Sequence, residues 1–262
     1  MTTQYSGKIV IVTGGAGGLG KAFSLEFAAR GAQVVCNDID PAAGEALLAE
    51  ASGLSGKIHF VAGSMMEAET CDRLTAKAVE LGGVDVLCNN VGIQPASSYV
   101  PAHELDDALW DAILTVNLKS YFWMVKRCVP IMKQNGGGVI INTASVQGIQ
   151  SQKGAAAYAA SKGGILSLTR QLALEYAEDN IRVVAIAPGT FDTPLLRDVA
   201  EGIADKTYME RLRQAYPMKR FGRPEELARV VAFLASDEAS FMTGECVTVD
   251  GGIMAQGGWA QG

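Results

Sequence analysis

KIVIVTGGAGGLGKAFSLEFAARG, residues 8–31, joins a run of β-branched residues to a glycine-rich loop and then to a stretch with helical spacing. KIVIVTG reads as a buried strand. Leu19, Phe23, Phe27 and Ala28 recur on one face of a helix that Gly31 ends. Between strand and helix, Gly14, Gly18 and Gly20 follow the pattern TGxxxGxG, with Gly17 and Leu19 in the same loop. Glycines there let the chain turn tightly and bring backbone N–H groups and a helix N-terminus up to a pyrophosphate. No Gly-Lys-Ser/Thr follows, so this is not a Walker loop. The bland alternative is a glycine-rich turn with no ligand, but the strand–loop–helix context favours a dinucleotide cradle.

Outward from this unit, strands and helices alternate. Strands are read at 32–38, 57–63, 84–92, 136–145, 181–189 and 245–252, and helices at 41–52, 70–81, 104–134, 158–179 and up to about 238. Near-continuous apolar strands between helices argue a parallel sheet covered on both faces. A TIM barrel also alternates in this way but needs eight strands, and the sequence offers seven. The expected class is α/β, one domain spanning 1–262, with a doubly wound sheet of seven mostly parallel strands and helices on both faces.

Composition narrows the function. Of 262 residues 48% are hydrophobic and 19% charged, with 30 glycines, 8 prolines and a net charge of −6. No basic stripe marks a nucleic-acid footprint, and no run of 18 apolar residues marks a membrane span. The five cysteines are scattered without a CxxC pair, which fits reduced thiols and a cytoplasmic protein. No signal peptide precedes the first strand. Two histidines, His59 and His103, with dispersed cysteines, do not build a zinc alcohol-dehydrogenase site, so no metal is expected.

Asp38 closes the second strand. A carboxylate there accepts both hydroxyls of an adenosine ribose and repels a 2′-phosphate, and no Arg or Lys follows in NDIDPAAG. NAD is therefore the expected cofactor. Its bland alternative is a cap for the next helix, a role better suited to Asp40. Tyr158 and Lys162 stand four apart, on one helix face. A cation beside a phenol favours the phenolate, so the pair could take a proton from an alcohol as hydride leaves. Ser145, at the end of the preceding strand, is placed to bond the reacting oxygen. By themselves Tyr158 and Lys162 read as well as a solvated helix face. The small residues around them imply that something packs closely there.

Together, TGGAGGLG (13–20), NNVG (89–92), Asn117 in VNLKSYF, Ser145, YAASK (158–162) and PG (188–189) resemble, in order and spacing, the classical short-chain dehydrogenase/reductase family over essentially the whole chain. The resemblance implies a Rossmann-type sheet and a Ser–Tyr–Lys–Asn catalytic tetrad. Tyr158 would be the general acid/base and Ser145 would orient the substrate oxygen. Lys162 would bind the nicotinamide ribose and lower the tyrosine pKa, and Asn117 would hold a relay water through its backbone. From its residues alone, Asn117 reads instead as a polar residue kinking a helix. The resemblance also places Ile39, Asn90, Gly92, Pro188, Gly189, Thr190 and Thr193 on the cofactor and 191–217 over the substrate. Val91 and Ser64 depart from the family's usual alanine and aspartate on the adenosine side.

Val146, Gln147, Gly148, Ile149, Gln150 and Gln152 beyond Ser145, and Gln94 beyond the fourth strand, are the expected substrate lining. Of these, Gln94, Gln147 and Gln150, with Ser145 and Tyr158, are the candidate substrate contacts. Amides supply donors and acceptors without charge, which suits a sugar, polyol or hydroxy-ketone. Alternatives are a less polar or steroid-like ketone, an isomerase or dehydratase, and a non-catalytic NAD-binding protein. The resemblance implies a homotetramer or homodimer built on 104–133, 158–178 and the last strand. The tail around Trp259 reads either as frayed or as reaching a neighbouring subunit.

Overall fold

The structure, a computed structural model, describes residues 4–201 and 207–257. Seven strands form one sheet: β1 (Ile9–Val12), β2 (Gln33–Asp38), β3 (Lys57–Ala62), β4 (Val86–Asn89), β5 (Gly138–Thr143), β6 (Ile181–Pro188) and β7 (Cys246–Val249). Their order is β3-β2-β1-β4-β5-β6-β7, and every pairing is parallel. The order reverses between β1 and β4. In an open sheet that reversal opens a crevice at the carboxyl ends of the strands, where ligands bind.

Alternation along each strand sends side chains to two cores. Val10 and Val12 of β1 join Phe23 and Phe27 of α1 (Gly18–Ala29), Leu47 of α2 (Pro41–Glu50) and Leu227 of α9 (Pro224–Ala235). Ile9 and Ile11 face the other way, onto Leu74 of α3 (Ala68–Leu81), Met124 of α5 (Ser120–Gln134) and Leu172 of α6 (Ala156–Tyr176). Both faces are covered, so the strands carry apolar residues at nearly every position. This is the expected open α/β sheet, with seven strands and no barrel closure.

Asp40 caps α2, accepting from the Ala42 N–H at 2.9 Å, as its position suggested. The helical run read over 104–134 is interrupted. After α4 (Asp107–Leu114), residues Thr115–Lys119 make one π-helical turn before α5 begins. Asn117 lies in that turn, so it does distort a helix, and π-turns of this kind recur at functional sites. Between residues 191 and 217 lie α7 (Pro194–Glu201) and α8 (Tyr208–Ala215). No described helix is long and apolar enough to cross a membrane. Trp259 and its surroundings lie outside the described residues.

Candidate active site

At the sheet's crevice the glycine loop is held by its neighbours. The Thr13 hydroxyl accepts from the N–H groups of Asn90 (3.0 Å) and Val91 (3.2 Å). In return the Asn90 amide donates to the carbonyls of Thr13 (3.1 Å) and Gly14 (3.2 Å). The backbone of β4's end is thus stitched to the loop. A Cβ at Gly20 would stand 2.0 Å from the Gly14 carbonyl oxygen and 2.6 Å from the Asn90 amide nitrogen. Only glycine fits there, because the first turn of α1 packs directly on the loop.

Asp38 is half-buried at the end of β2. One carboxylate oxygen accepts from the Ala16 N–H at 3.2 Å and the other from the Ile39 N–H at 2.8 Å. It therefore spans the gap between β2 and the loop beside Gly17, where a Cβ would come within 3.9 Å of it. Ile39 next to it is exposed. Ser64 takes another role: its hydroxyl accepts from the Met66 N–H at 3.2 Å and shapes the turn after β3.

Across the crevice, β5 ends at Thr143, and Ser145 caps the short turn Val146–Gly148, accepting from the Gln147 N–H at 3.1 Å. A Cβ at Gly148 would lie 2.7 Å from the backbone of Lys162, so this turn rests on α6. The turn and Leu118, which packs on Gly164, are the close neighbours that the small residues of 155–164 accommodate. Tyr158 sits in the first turn of α6, half-buried, with the Ser145 hydroxyl near enough to pull its pKa down. Lys162 is buried one turn on. Its ammonium donates to the Thr143 carbonyl at 2.8 Å and lies 5.5 Å from the centre of the Tyr158 ring.

Burial dominates the electrostatics of this pair. Desolvation raises the Tyr158 phenol, and Ser145 offsets part of the rise. The same cause lowers Lys162 to about 7. The lysine expected to lower the tyrosine bonds a backbone carbonyl, and in the protein alone both groups are driven toward their neutral forms.

Asn117 is fully buried, with its amide used at both ends. Its oxygen accepts from the Ile93 N–H at 2.8 Å, and its nitrogen donates to the Ile93 carbonyl (3.0 Å) and the Ser161 hydroxyl (3.3 Å). Ser161 in turn donates to the Tyr158 carbonyl at 2.7 Å. Gly92 lies between these groups, 3.5 Å from the Lys162 ammonium and 3.6 Å from the Asn117 oxygen measured from its would-be Cβ. Pro188 ends β6. The Thr190 N–H donates to the Tyr216 hydroxyl at 2.8 Å, and that hydroxyl donates to Thr190 Oγ1 at 2.7 Å. Thr193 packs over Gly18, with 3.7 Å to a Cβ built there.

A family model described as Enoyl-(Acyl carrier protein) reductase matches residues 14–254. The 3-oxoacyl-(acyl-carrier-protein) reductase FabG of Thermotoga maritima is 41% identical over 252 residues, 96% of this chain and 99% of its own. The chain belongs to the short-chain dehydrogenase/reductase family. The cyclohexanol dehydrogenase of an Acinetobacter species is 34% identical, covering 96% of each chain. A crystal structure of levodione reductase matches with a TM-score of 0.92 at 32% identity, over 97% of this chain and all of that one. As a short-chain dehydrogenase/reductase the protein is an NAD(P)-dependent oxidoreductase that acts on small alcohol or ketone substrates.

The residues present fit a dinucleotide. Five of the seven residues from Gly14 to Gly20 are glycine, so few side chains obstruct the N-terminus of α1, and the Asp38 carboxylate lies beside the loop. Two glutamines have buried atoms without partners, Nε2 of Gln94 and Oε1 of Gln147, whereas Gln150 and Gln152 are exposed to solvent. Sequence reasoning did not find three supports of this short-chain dehydrogenase/reductase site. They are the Thr13 hydroxyl, the Thr143 carbonyl, and Tyr121, whose buried hydroxyl donates to the carbonyls of Val91 (3.0 Å) and Thr143 (3.3 Å). A backbone carbonyl has no sequence signature, and Tyr121 occupies an ordinary apolar position of α5.

Proposed function

We propose that this chain uses NAD to interconvert a secondary alcohol and a ketone, with Tyr158 as general acid/base. The observation that carries the reading is that Lys162 and Asn117 converge on Gly92 while the Tyr158 ring lies 5.5 Å from the Lys162 ammonium and its hydroxyl beside Ser145, at the carboxyl ends of β4 and β5. The chemistry NAD would supply here, when bound, is that of a hydride acceptor or donor. Tyr158 Oη then takes the alcohol's proton in oxidation and returns it in reduction, while the Ser145 hydroxyl orients the reacting oxygen. Lys162, held by the Thr143 carbonyl, would bind the nicotinamide ribose and supply the positive charge that favours the phenolate. The Asn117 amide is committed to Ile93 and Ser161, so a relay water would be held by its backbone.

On the cofactor, Gly14, Gly17, Gly18, Leu19 and Gly20 would cradle the pyrophosphate. Asp38, Ile39 and Asn90 would line the adenosine side, Gly92 would let the cofactor approach closely, and Pro188, Gly189, Thr190 and Thr193 would face the nicotinamide carboxamide. The choice of NAD over NADP rests on the Asp38 charge. Gln94 and Gln147, with their unpartnered amide atoms, support a polar hydroxylated substrate. A second reading, reduction of a less polar cyclic ketone, draws on the name of the cyclohexanol dehydrogenase and on the apolar covering segment at 191–217.

The assembly would be a homotetramer or homodimer. A groove of about 870 Å³ on the α4–α5–α6 face, lined by Leu114, Leu118, Phe122 and Leu168, supports a second copy there. Five unpaired cysteines support a cytoplasmic location. The test is a panel of polyols, sugars, hydroxy acids and cyclic alcohols with NAD⁺ and NADP⁺, read by absorbance of the reduced cofactor. The expected result is turnover of a secondary alcohol with NAD⁺. A folded, NAD-binding protein that turns over no alcohol and no matching carbonyl would sink the redox reading in favour of an isomerase, a dehydratase or a non-catalytic protein.

A further inference from the structure

Lys162 is buried, yet among the described residues its ammonium makes a single hydrogen bond, to the Thr143 carbonyl at 2.8 Å. An ammonium carries three donors, so with one of them anchored its position follows that of the carbonyl. Thr143 is the last residue of β5. Among the described residues one other side chain bonds its carbonyl: Tyr121, from the first turn of α5, at 3.3 Å. The same hydroxyl donates to the Val91 carbonyl, in the loop after β4, at 3.0 Å. Tyr121 is fully buried, and burial pushes its phenol well above the ordinary range, so it keeps the proton that it donates.

The loop after β4 is held on both sides of Gly92. Asn117, in the π-turn, bonds Ile93 at 2.8 and 3.0 Å, and Tyr121, four residues on, bonds Val91. Gly92 is thereby fixed between them, and a Cβ built on it would stand 3.5 Å from the Lys162 ammonium. That ammonium also lies 5.9 Å from the centre of the Tyr121 ring, within range of a cation–π attraction. Tyr121 thus bonds the ammonium's acceptor, borders the ammonium with its own ring, and holds the loop that approaches it.

We propose that Tyr121 is a positioning residue: its hydroxyl holds the Thr143 carbonyl so that Lys162 stands ready for the nicotinamide ribose. This rests on Lys162 being the group that meets that ribose.

The experiment measures NADH and ADP affinity by calorimetry in the wild type, Tyr121→Phe, Lys162→Met and the double variant, with folding followed by thermal melting. Tyr121→Phe keeps the ring and removes the hydroxyl. NADH affinity should fall roughly three- to tenfold, the effect of one lost neutral hydrogen bond. ADP lacks the nicotinamide ribose and should bind unchanged. In the Lys162→Met background, Tyr121→Phe should cost NADH nothing further, because the group being positioned is gone. A hydroxyl with a merely structural role would weaken NADH equally in both backgrounds. Equal weakening, no weakening, or an accompanying loss of ADP affinity overturns the inference. If Tyr121→Phe does not fold, Tyr121→Met takes its place; failure of both to fold makes the hydroxyl a requirement of the fold and overturns the inference. NADH affinity unaltered by Lys162→Met removes the premise, and the inference with it. Wild type that binds NADH but turns over no alcohol overturns the redox reading alone, and these titrations still decide the role of Tyr121.

Discussion

The two halves of the crevice are built on opposite principles. In the half proposed to take the cofactor the loop and its neighbours are paired within the chain: Thr13 with Asn90 and Val91, Asn90 with the loop carbonyls, Asp38 with Ala16 and Ile39. Only the Oδ1 atoms of Asn37 and Asn89 lack a partner there among the described residues. In the half proposed to take the substrate, Gln94 and Gln147 carry buried, unpaired atoms, and Gln150 turns to solvent. The first half is shaped before its ligand arrives, and a pre-formed loop loses little entropy on binding. The second half leaves buried hydrogen-bonding capacity that no described residue satisfies. A shared cofactor site with divergent chemistry in the other half is how one scaffold serves many reactions.

The contrast can be broken most decisively at the reactive pair. Tyr158→Phe should reduce turnover by about a hundred- to ten-thousand-fold, the range for loss of a general acid/base, while leaving NADH binding in place. Near-wild-type kcat would remove Tyr158 from the reaction. On the cofactor side, Asp38→Asn removes the charge while keeping one of the two acceptors that now take the Ala16 and Ile39 N–H groups. The NAD-to-NADP preference in kcat/KM should fall by about tenfold, the loss of one charge's repulsion of a 2′-phosphate near the protein surface. An unchanged preference would place cofactor selection elsewhere.

The smallest effect concerns stability. Lys162 has its pKa lowered to about 7 by burial, below the ordinary lysine value near 10.5. Between those two values the unfolded chain binds more protons than the folded one, so stability rises with pH across that window. Below about 7 both states are protonated and the cost of burying the ammonium is present in full. Without cofactor, the melting temperature of the wild type relative to Lys162→Met should therefore climb by about a few degrees between pH 7 and 9. A difference independent of pH would mean that Lys162 is charged in the folded protein throughout this range.

The sheet was legible because its cause is local. Val10 and Val12 face one core and Ile9 and Ile11 the other, so a strand buried on both sides spells itself as a continuous apolar run. The glycine loop was legible for the same reason, since a turn that excludes Cβ atoms restricts residue type. Asp40 as a helix cap also follows from its neighbours in sequence. Asn117 was only half legible. A polar residue inside a helix signals distortion, but not that the distortion is a π-turn whose amide clamps Ile93.

What the sequence determined by itself is the class of the protein: a doubly wound sheet, a dinucleotide loop, and a tyrosine and lysine one helical turn apart. Those depend on spacing along one chain segment. What only the tertiary structure decided is what each polar group spends its bonds on. Lys162 turns to the Thr143 carbonyl nineteen residues away, Tyr121 joins it there, and the Asn117 amide reaches back to Ile93 and across to Ser161. These contacts join segments remote in sequence, and the balance between burial and partners that fixes their charge exists only once those segments have packed.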